Sequence, residues 1–287
     1  MIYLQLKIAE QCFRLCGNAL TDAVISMPGF KTFLTTDDEK PQFEVVFTEN
    51  EIEPGIIARQ YDFEAEGGKS VFSATATGYH LSMNREDGSR LMLWSVQKER
   101  KVYLKGSLVP QLLRFALWIA YGIMSVCNGR IPIHGSCIVN DGRAYLFLGE
   151  SGTGKSTHTR LWREYIDGST LLNDDSPIIY AEEDAVYVYG SPWSGKTPCY
   201  RQERYPLCGC VRLSQAPYNR ITRLSLLKAY AAIHPSCPPE YAYDETLYGG
   251  ISDTLDKLLS TVTIYHLECL PDEDAANLSF KTLSGNK

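Results

Sequence analysis

Gly149-Glu-Ser-Gly-Thr-Gly-Lys-Ser156 is the stretch on which the fold of this chain turns. It fits G-x-x-x-x-G-K-[ST], and each fixed position has a physical task. Gly149, Gly152 and Gly154 allow backbone angles that turn successive amides inward, making a nest for phosphate oxygens. Lys155 brings an ammonium to the β- and γ-phosphates, and the Ser156 hydroxyl suits Mg2+. The flanks agree. Arg143–Leu148 is an apolar strand candidate running into the loop, and residues 155–166 have helical periodicity through Leu161, Trp162 and Tyr165. A helix that starts at the loop offers unsatisfied N–H groups and the positive end of its dipole to an anion. The stretch therefore predicts a nucleotide site, with ATP and Mg2+ as cofactors, lined by Gly149, Glu150, Ser151, Gly152, Thr153, Gly154, Lys155, Ser156 and Thr157. A plain Gly-rich turn would explain the glycines but not Lys-Ser in register.

Three further groups gather around this loop. Asn173-Asp174-Asp175 follows the short apolar run 170–172. A carboxylate there can hold Mg2+, and two adjacent ones leave a group able to move a proton; the rival is a turn ahead of Ser176-Pro177. His134 lies on the candidate strand 133–139, which an Asn140-Asp141-Gly142 turn joins to the strand entering the loop. If the two pair as a hairpin, His134 stands close to the loop, where a donor or proton carrier is useful. The segment Gly190-Ser-Pro-Trp-Ser-Gly-Lys-Thr-Pro198, with Arg201 and Glu203 behind it, reads as a shaped loop. Lys196 or Arg201 could neutralise transferring phosphoryl charge, against the alternative of a solvated surface loop.

Composition sets the frame. The 287 residues suit one large or two modest domains, and 44% hydrophobic with 22% charged residues is ordinary for a globular chain. A net charge of −6 gives no support to a broad nucleic-acid or anionic-membrane surface, although a phosphate pocket needs only local donors. The nine cysteines form no C-x-x-C pair and no zinc-finger spacing, so reduced core thiols are expected. The opening Met1-Ile-Tyr-Leu-Gln-Leu-Lys lacks the pattern of a secretory leader, which predicts a cytoplasmic protein. Residues 115–127, FALWIAYGIMSVC, are short of the ~20 needed to span a bilayer and predict a buried core helix.

The chain divides by character at residue 106/107. Residues 1–106 predict a β-rich region of unassigned role, with strands at Phe43–Phe47 and 71–75, a hairpin of 79–83 with 90–94 about residues 86–89, and polar loops at 35–40 and 49–55. Residues 107–287 predict the nucleotide-binding core, with a hairpin at 177–189, a strand at 205–213, helices at 224–233 and 245–259, a strand at Ile264–Cys269 and a last short helix.

At His134-Gly135-Ser136, the loop from Gly149 to Thr157 and Asp174-Asp175, the sequence resembles the HPr kinase/phosphorylase family of the phosphoenolpyruvate-carboxykinase-like P-loop proteins. The resemblance covers residues 131–213 and implies an α/β fold: a mixed, strongly curved sheet with packed helices, preceded here by the smaller β-rich α+β region. It implies ATP-dependent phosphorylation of a serine-like hydroxyl, with Lys155 on phosphate, Ser156 and Asp174 on Mg2+, Asp175 as base and His134 in the same site. The family's glycine-rich substrate signature is replaced by Trp193-Ser-Gly-Lys-Thr-Pro-Cys-Tyr-Arg-Gln-Glu203. The implied acceptor is accordingly a small molecule, peptide or protein other than HPr. Partners are then a nucleotide and a hydroxyl-bearing acceptor, without nucleic acid or membrane, and self-association as a homo-oligomer stays open. The alternative class is a nucleotide sensor of the same fold that transfers nothing; carboxykinase chemistry is weaker, since no oxaloacetate or second-metal set is visible.

Overall fold

The computed structural model describes residues 2–50 and 54–285, so residues 51–53 of the polar loop expected at 49–55 lie outside the described residues. Two compact units make up the chain: Met1–Cys127 with Glu240–Tyr248, and Asn128–Pro239 with Gly249–Lys287.

In the first unit the strands are β1 (Tyr3–Ile8), β2 (Gln11–Cys16), β3 (Phe43–Phe47), β4 (Ile56–Ala65), β5 (Gly68–Thr75), β6 (Tyr79–Arg85), β7 (Arg90–Val96) and β8 (Lys101–Gly106), with helices α1 (Asn18–Ser26) and α2 (Pro110–Ser125). They form one eight-stranded sheet in the order β1-β2-β3-β8-β7-β6-β5-β4. β3 is parallel to β2 and β8, and the remaining pairs are antiparallel. The predicted hairpin is β6–β7, closed by Asn84 opposite Arg90. Sequence periodicity missed β1, β2, β4, β8 and α1. β2 is buried on both faces, and edge strand β4 is covered on neither over its first half, so neither strand alternates.

α2 starts on Pro110, where a missing N–H is no loss. It buries Leu112, Leu113, Ala116, Leu117, Ile119 and Ala120 within this unit. Tyr121 Oη donates to Ile8 O at 3.2 Å, and Tyr241 Oη of the returning segment donates to Ile119 O at 3.2 Å. The apolar helix thus belongs with the N-terminal sheet, and the compact units part after Cys127 instead of at 106/107. It is also longer than residues 115–127: Pro110–Asn128 is, among the described residues, the one segment long and apolar enough to cross a membrane, and 61% of its most apolar 18-residue window is buried inside the fold.

The second unit contains β9 (Arg130–Pro132), β10 (Gly135–Asn140), β11 (Arg143–Leu148), α3 (Lys155–Tyr165), β12 (Thr170–Asp175), β13 (Ile178–Ala181), β14 (Val186–Tyr189), β15 (Arg204–Gln215), β16 (Arg220–Arg223), α4 (Leu226–Ile233), most of α5 (Glu245–Thr261), β17 (Ile264–Cys269) and α6 (Glu273–Ser284). Its sheet runs β12-β10-β11-β15-β14-β13-β9, with β17 beside β15 and β16 outermost. β10 is antiparallel to β11 and β12, whereas β11 and β17 both lie parallel to β15. β15 pairs through Arg204–Pro206 with β14 and further on with β11 and β17, so one long strand serves both parts of a mixed, curved sheet. The predicted hairpins and helices of this region are present; β9 and β16 had no forecast, and the strand expected at 133–139 begins at Gly135, just past His134.

α3 leads from the end of β11 to the start of β12 and packs over β10, which lies between them. Its anchor is Trp162, fully buried edge-on to Phe147 and Phe280, with Nε1 donating to Ser279 Oγ at 2.8 Å. The nine cysteines are all free thiols.

One buried group carries a measurable strain. Glu240 in the first unit is 4% exposed, its Oε2 has no hydrogen-bond partner, and burial pushes its carboxyl up to about 7 from an ordinary 4.5. Ionising it costs the folded state nothing below about pH 4.5, progressively more up to about pH 7, and the full penalty above that. Glu240→Gln is therefore expected to raise stability on the order of 2 kcal/mol at about pH 8, and by clearly less at about pH 5.5. Urea midpoints at the two pH values check this; equal gains at both would remove the buried ionisation as the cause.

Candidate active site

Strand register builds the site before any side chain is considered. Gly135 at the start of β10 lies opposite Leu148 at the end of β11 and, on its other side, opposite Asp175 at the end of β12. Three segments distant in sequence therefore meet at the carboxyl ends of β11 and β12, the edge at which α/β sheets hold ligands. The tight turn that pairs Asn140 with Arg143 is what returns His134 to the loop.

In that loop Gly149, Gly152 and Gly154 have φ of 153°, 84° and 105°, conformations that residues with a Cβ rarely adopt. Gly154 is the N-cap of α3, no side chain caps the helix, and the first turn's N–H groups are left for an incoming acceptor. Lys155, 9% exposed, points back under the loop. Its Nζ donates to Gly149 O at 2.8 Å and Glu150 O at 3.1 Å, and lies 2.9 Å from His134 Nε2. An ammonium only donates, so Nε2 is the acceptor and the ring proton sits on Nδ1. Nδ1 in turn faces Asp175 Oδ1 at 3.4 Å. Burial pushes the Lys155 ammonium below its ordinary value, while Asp175 and Asp174 pull it up and Arg212 adds a small push down.

The two aspartates serve different neighbours, as adjacent strand residues on opposite faces must. Asp174 is buried: Ser136 Oγ donates to Oδ1 at 2.8 Å and the Thr197 N–H donates to Oδ2 at 3.3 Å. Ser136 Oγ is also 3.0 Å from Thr159 Oγ1, one turn along α3 from Ser156. Asp174 thus looks toward the helix that carries Ser156. Asp175, its side chain 42% exposed, looks toward His134.

Asn173 fixes both. Its Oδ1 accepts from the N–H groups of Asp175 at 3.0 Å and Ser176 at 2.9 Å, and its Nδ2 donates to Trp193 O at 3.0 Å. The loop after β14 is thereby laid along β12. The Gly195 N–H donates to Asp174 O at 3.0 Å, and a Cβ at Gly195 would stand 2.6 Å from that oxygen, so only glycine fits. Lys196 is exposed, between two residues that touch Asp174.

Arg201 and Glu203 are not part of this constellation. Past Thr197 the chain runs back along β12: Cys199 Sγ donates to Leu171 O at 3.3 Å, and Arg201 Nη1 donates to Leu171 O at 3.0 Å and Thr170 Oγ1 at 3.1 Å. Arg201 is closed by Glu203 at 2.8 Å. The pair braces the first residues of β12, roughly 16 Å of extended chain from Asp175. Arg212 takes the place expected of Arg201. It lies opposite Leu148, donates to Ala232 O at 3.1 Å and stands 3.6 Å from Glu150 on the loop. Its only signal in the sequence is a charge inside an apolar strand, which has no meaning until β11 and β15 are known to pair.

Beside the loop is a cleft of about 750 Å3 between the first turns of α3 and the ends of β15 and β17. For a metal, the donors at hand are the exposed Ser156 hydroxyl and the Asp174 carboxylate. Among the described residues no group of three or more His, Cys, Asp or Glu gathers as a metal site. So sparse a set fits Mg2+, which takes one or two protein ligands and completes its shell with phosphates and water.

No protein-family model matches the sequence, and no curated protein matches it. Among solved structures the chain is similar to the HPr(Ser) kinase/phosphatase from Coxiella burnetii, at 13% identity and a TM-score of 0.29, over 53% of this chain and 87% of that one. The likeness is distant, and the chemistry of the site rests on its own geometry.

Because Arg201 braces β12 and does not reach the loop, Arg201→Ala should cost about 1–2 kcal/mol of stability and leave the affinity for Mg·ATP unchanged. Denaturant melts with parallel nucleotide titrations check both halves; weakened nucleotide binding in a stably folded variant would return Arg201 to the site.

Proposed function

We propose that this chain is an ATP- and Mg2+-dependent kinase that moves the γ-phosphoryl group to a hydroxyl, of the HPr-kinase-like type within the phosphoenolpyruvate-carboxykinase-like P-loop proteins. The observation that carries this is the file Lys155–His134–Asp175, set between the glycine-rich loop and an open carboxylate. A loop that only joined a strand to a helix would not need a buried ammonium, an imidazole and a carboxylate in line.

The N–H groups of the loop and of the first turn of α3 bind the phosphates, with Lys155 and Arg212 supplying positive charge on two sides. Ser156 and Asp174 would hold Mg2+, which would supply neutralising charge to the phosphates when bound. The acceptor hydroxyl attacks in line: its oxygen bonds to the γ-phosphorus, the bond to the β-phosphate oxygen breaks, and the nucleoside diphosphate leaves. The hydroxyl proton passes to the Asp175 carboxylate, which the His134 Nδ1–H orients before the transfer. Catalysis is then mostly positioning and charge neutralisation, with one proton transfer.

Lys155→Ala should weaken Mg·ATP binding by about 100-fold or more, while circular dichroism stays native. Asp175→Asn should bind Mg·ATP within a few-fold of wild type and lose about 10²–10⁴ in single-turnover transfer to a hydroxyl acceptor. A screen of labelled ATP against hydroxyl-bearing metabolites and peptides supplies the assay. Unchanged ATP affinity in Lys155→Ala would sink the phosphate site, and a wild type that binds ATP yet labels no acceptor would favour a sensor.

A further inference from the structure

β4 ends the sheet of the first unit, and among the described residues no strand pairs with its outer side. The opposite end is covered: Leu6 of β1 bridges to Leu34, and the Thr35 N–H donates to Gln5 O at 3.0 Å. β4 has neither proline nor lysine among its ten residues, the common guards of an open edge, and it exposes Ile56 and Ile57 at 55% and 71%. Bulges are another such guard, and β4 has two: against β5, Ile57 and Gln60 are left without partners. The second bulge also changes the pattern of charge. Arg59 lies opposite Ser73, Tyr61 opposite Phe72 and Asp62 opposite Val71. Arg59 and Asp62, three apart in sequence, therefore share one face, one step either side of Tyr61. They form an ion pair there, with side chains 63% and 57% exposed. Behind them Tyr61 stacks on Tyr243 at 5.5 Å and on Phe63 at 5.2 Å, and Gln60 Nε2 donates to Asp244 Oδ2 at 3.2 Å. These are side-chain contacts, so they hold the edge in place without using its outer backbone groups.

We propose that β4 is a self-association edge: two copies of this chain pair their β4 strands antiparallel about a two-fold axis at Tyr61, joining their N-terminal sheets into one. With Gln60 taken up by the bulge, that axis sets Arg59 of one chain opposite Asp62 of the partner subunit, and Asp62 opposite Arg59 of the partner subunit. Directly opposed unlike charges favour a register and like charges oppose it. Moving the axis to Phe63 would set Asp62 against Glu64 of the partner subunit, so the charges select the register at Tyr61. The same register sets Ala58 opposite Phe63 and covers the exposed Ile56 with the strand end at Glu64. The contact is isologous and closes at two copies. An unrelated peptide has no reason to present a base and an acid at these two positions, whereas a second β4 does so by symmetry. One strand from each chain lies at the low end of the roughly 1,200–2,000 Å2 of stable complexes, so the dimer is expected to dissociate in the micromolar range. The inference uses the first unit alone and stands apart from the nucleotide assignment.

Sedimentation velocity of the intact chain from about 1 to 200 μM reads the association, and a reversible shift from monomer to dimer is expected. Arg59→Asp and Asp62→Arg each turn both cross-chain pairs into like-charge pairs and should raise the dissociation constant about tenfold or more. An equimolar mixture of the two variants opposes acid to base again at both places. It should return to within about threefold of the wild-type constant, as mixed dimers that native mass spectrometry resolves from homodimers. The ion pair within each chain stays broken in that mixture, so the rescue reports on the cross-chain pairs alone. If either variant misfolds by circular dichroism, hydrogen exchange of the wild type decides: amides of residues 56–65 should slow between about 1 and 200 μM. A wild type that stays monomeric to about 200 μM overturns the proposal. So does a mixture no more dimeric than its components, or a dimer whose β4 amides exchange at the rate of the monomer.

Discussion

A buried ammonium has donors and nothing else, and Lys155 at 9% exposure must find acceptors or forgo its charge. It finds two loop carbonyls and one imidazole nitrogen, and most of the site follows from that demand. The Gly149 and Glu150 carbonyls are thereby turned toward Lys155. With Nε2 of His134 accepting, the imidazole proton is forced onto Nδ1, the side of Asp175. Asp175 and Asp174 offset part of the desolvation of the ammonium. One cation thereby sets the loop's conformation, the histidine tautomer and the orientation of the carboxylate.

The carboxylates need a rigid support of their own. Asn173 ties the backbone of Asp175 and Ser176 on one side and the loop at Trp193 on the other. Gly195 then presses the loop against β12, where any larger residue would push it off. The same loop continues along the strand to Arg201, which braces its far end. β12 is in effect clamped at both ends, and the sharp distinction between Asp174, turned toward α3, and Asp175, turned toward His134, depends on that clamp.

What could be read in the sequence was whatever local chemistry fixes. The glycine-rich loop is legible because its spacing and its backbone demands are contained in eight residues. His134 was placed beside it by a tight turn alone, since Asn140-Asp141-Gly142 sets the register of β10 on β11. Arg201 and Arg212 were not separable in this way. Both are cations near a strand, and their roles depend on the path of residues 194–201 along β12 and on the parallel pairing of β11 with β15, both long-range facts. The unit boundary was misplaced for a related reason: α2 is apolar on most of its surface, and its sequence does not say which sheet will cover it. β2 and β4 had no alternation to read, being covered on both faces and largely bare on both, respectively.

The file from Lys155 to Asp175 is buried at one end and open at the other, with His134 and Asp175 side chains 47% and 42% exposed. An exposed general base beside a phosphoryl donor can activate water as readily as an alcohol, which would make the protein an ATPase. On the proposed kinase chemistry, transfer would require that the acceptor itself cover the base and displace the water there. A small alcohol contacting only Asp175 would do this poorly. An acceptor that also contacts the clamped loop, where Lys196 stands exposed between Gly195 and Thr197, would do it well, and its binding energy would be used to exclude water as well as to position the hydroxyl. On the proposed chemistry, then, the open end of the file selects for acceptors larger than the hydroxyl they carry.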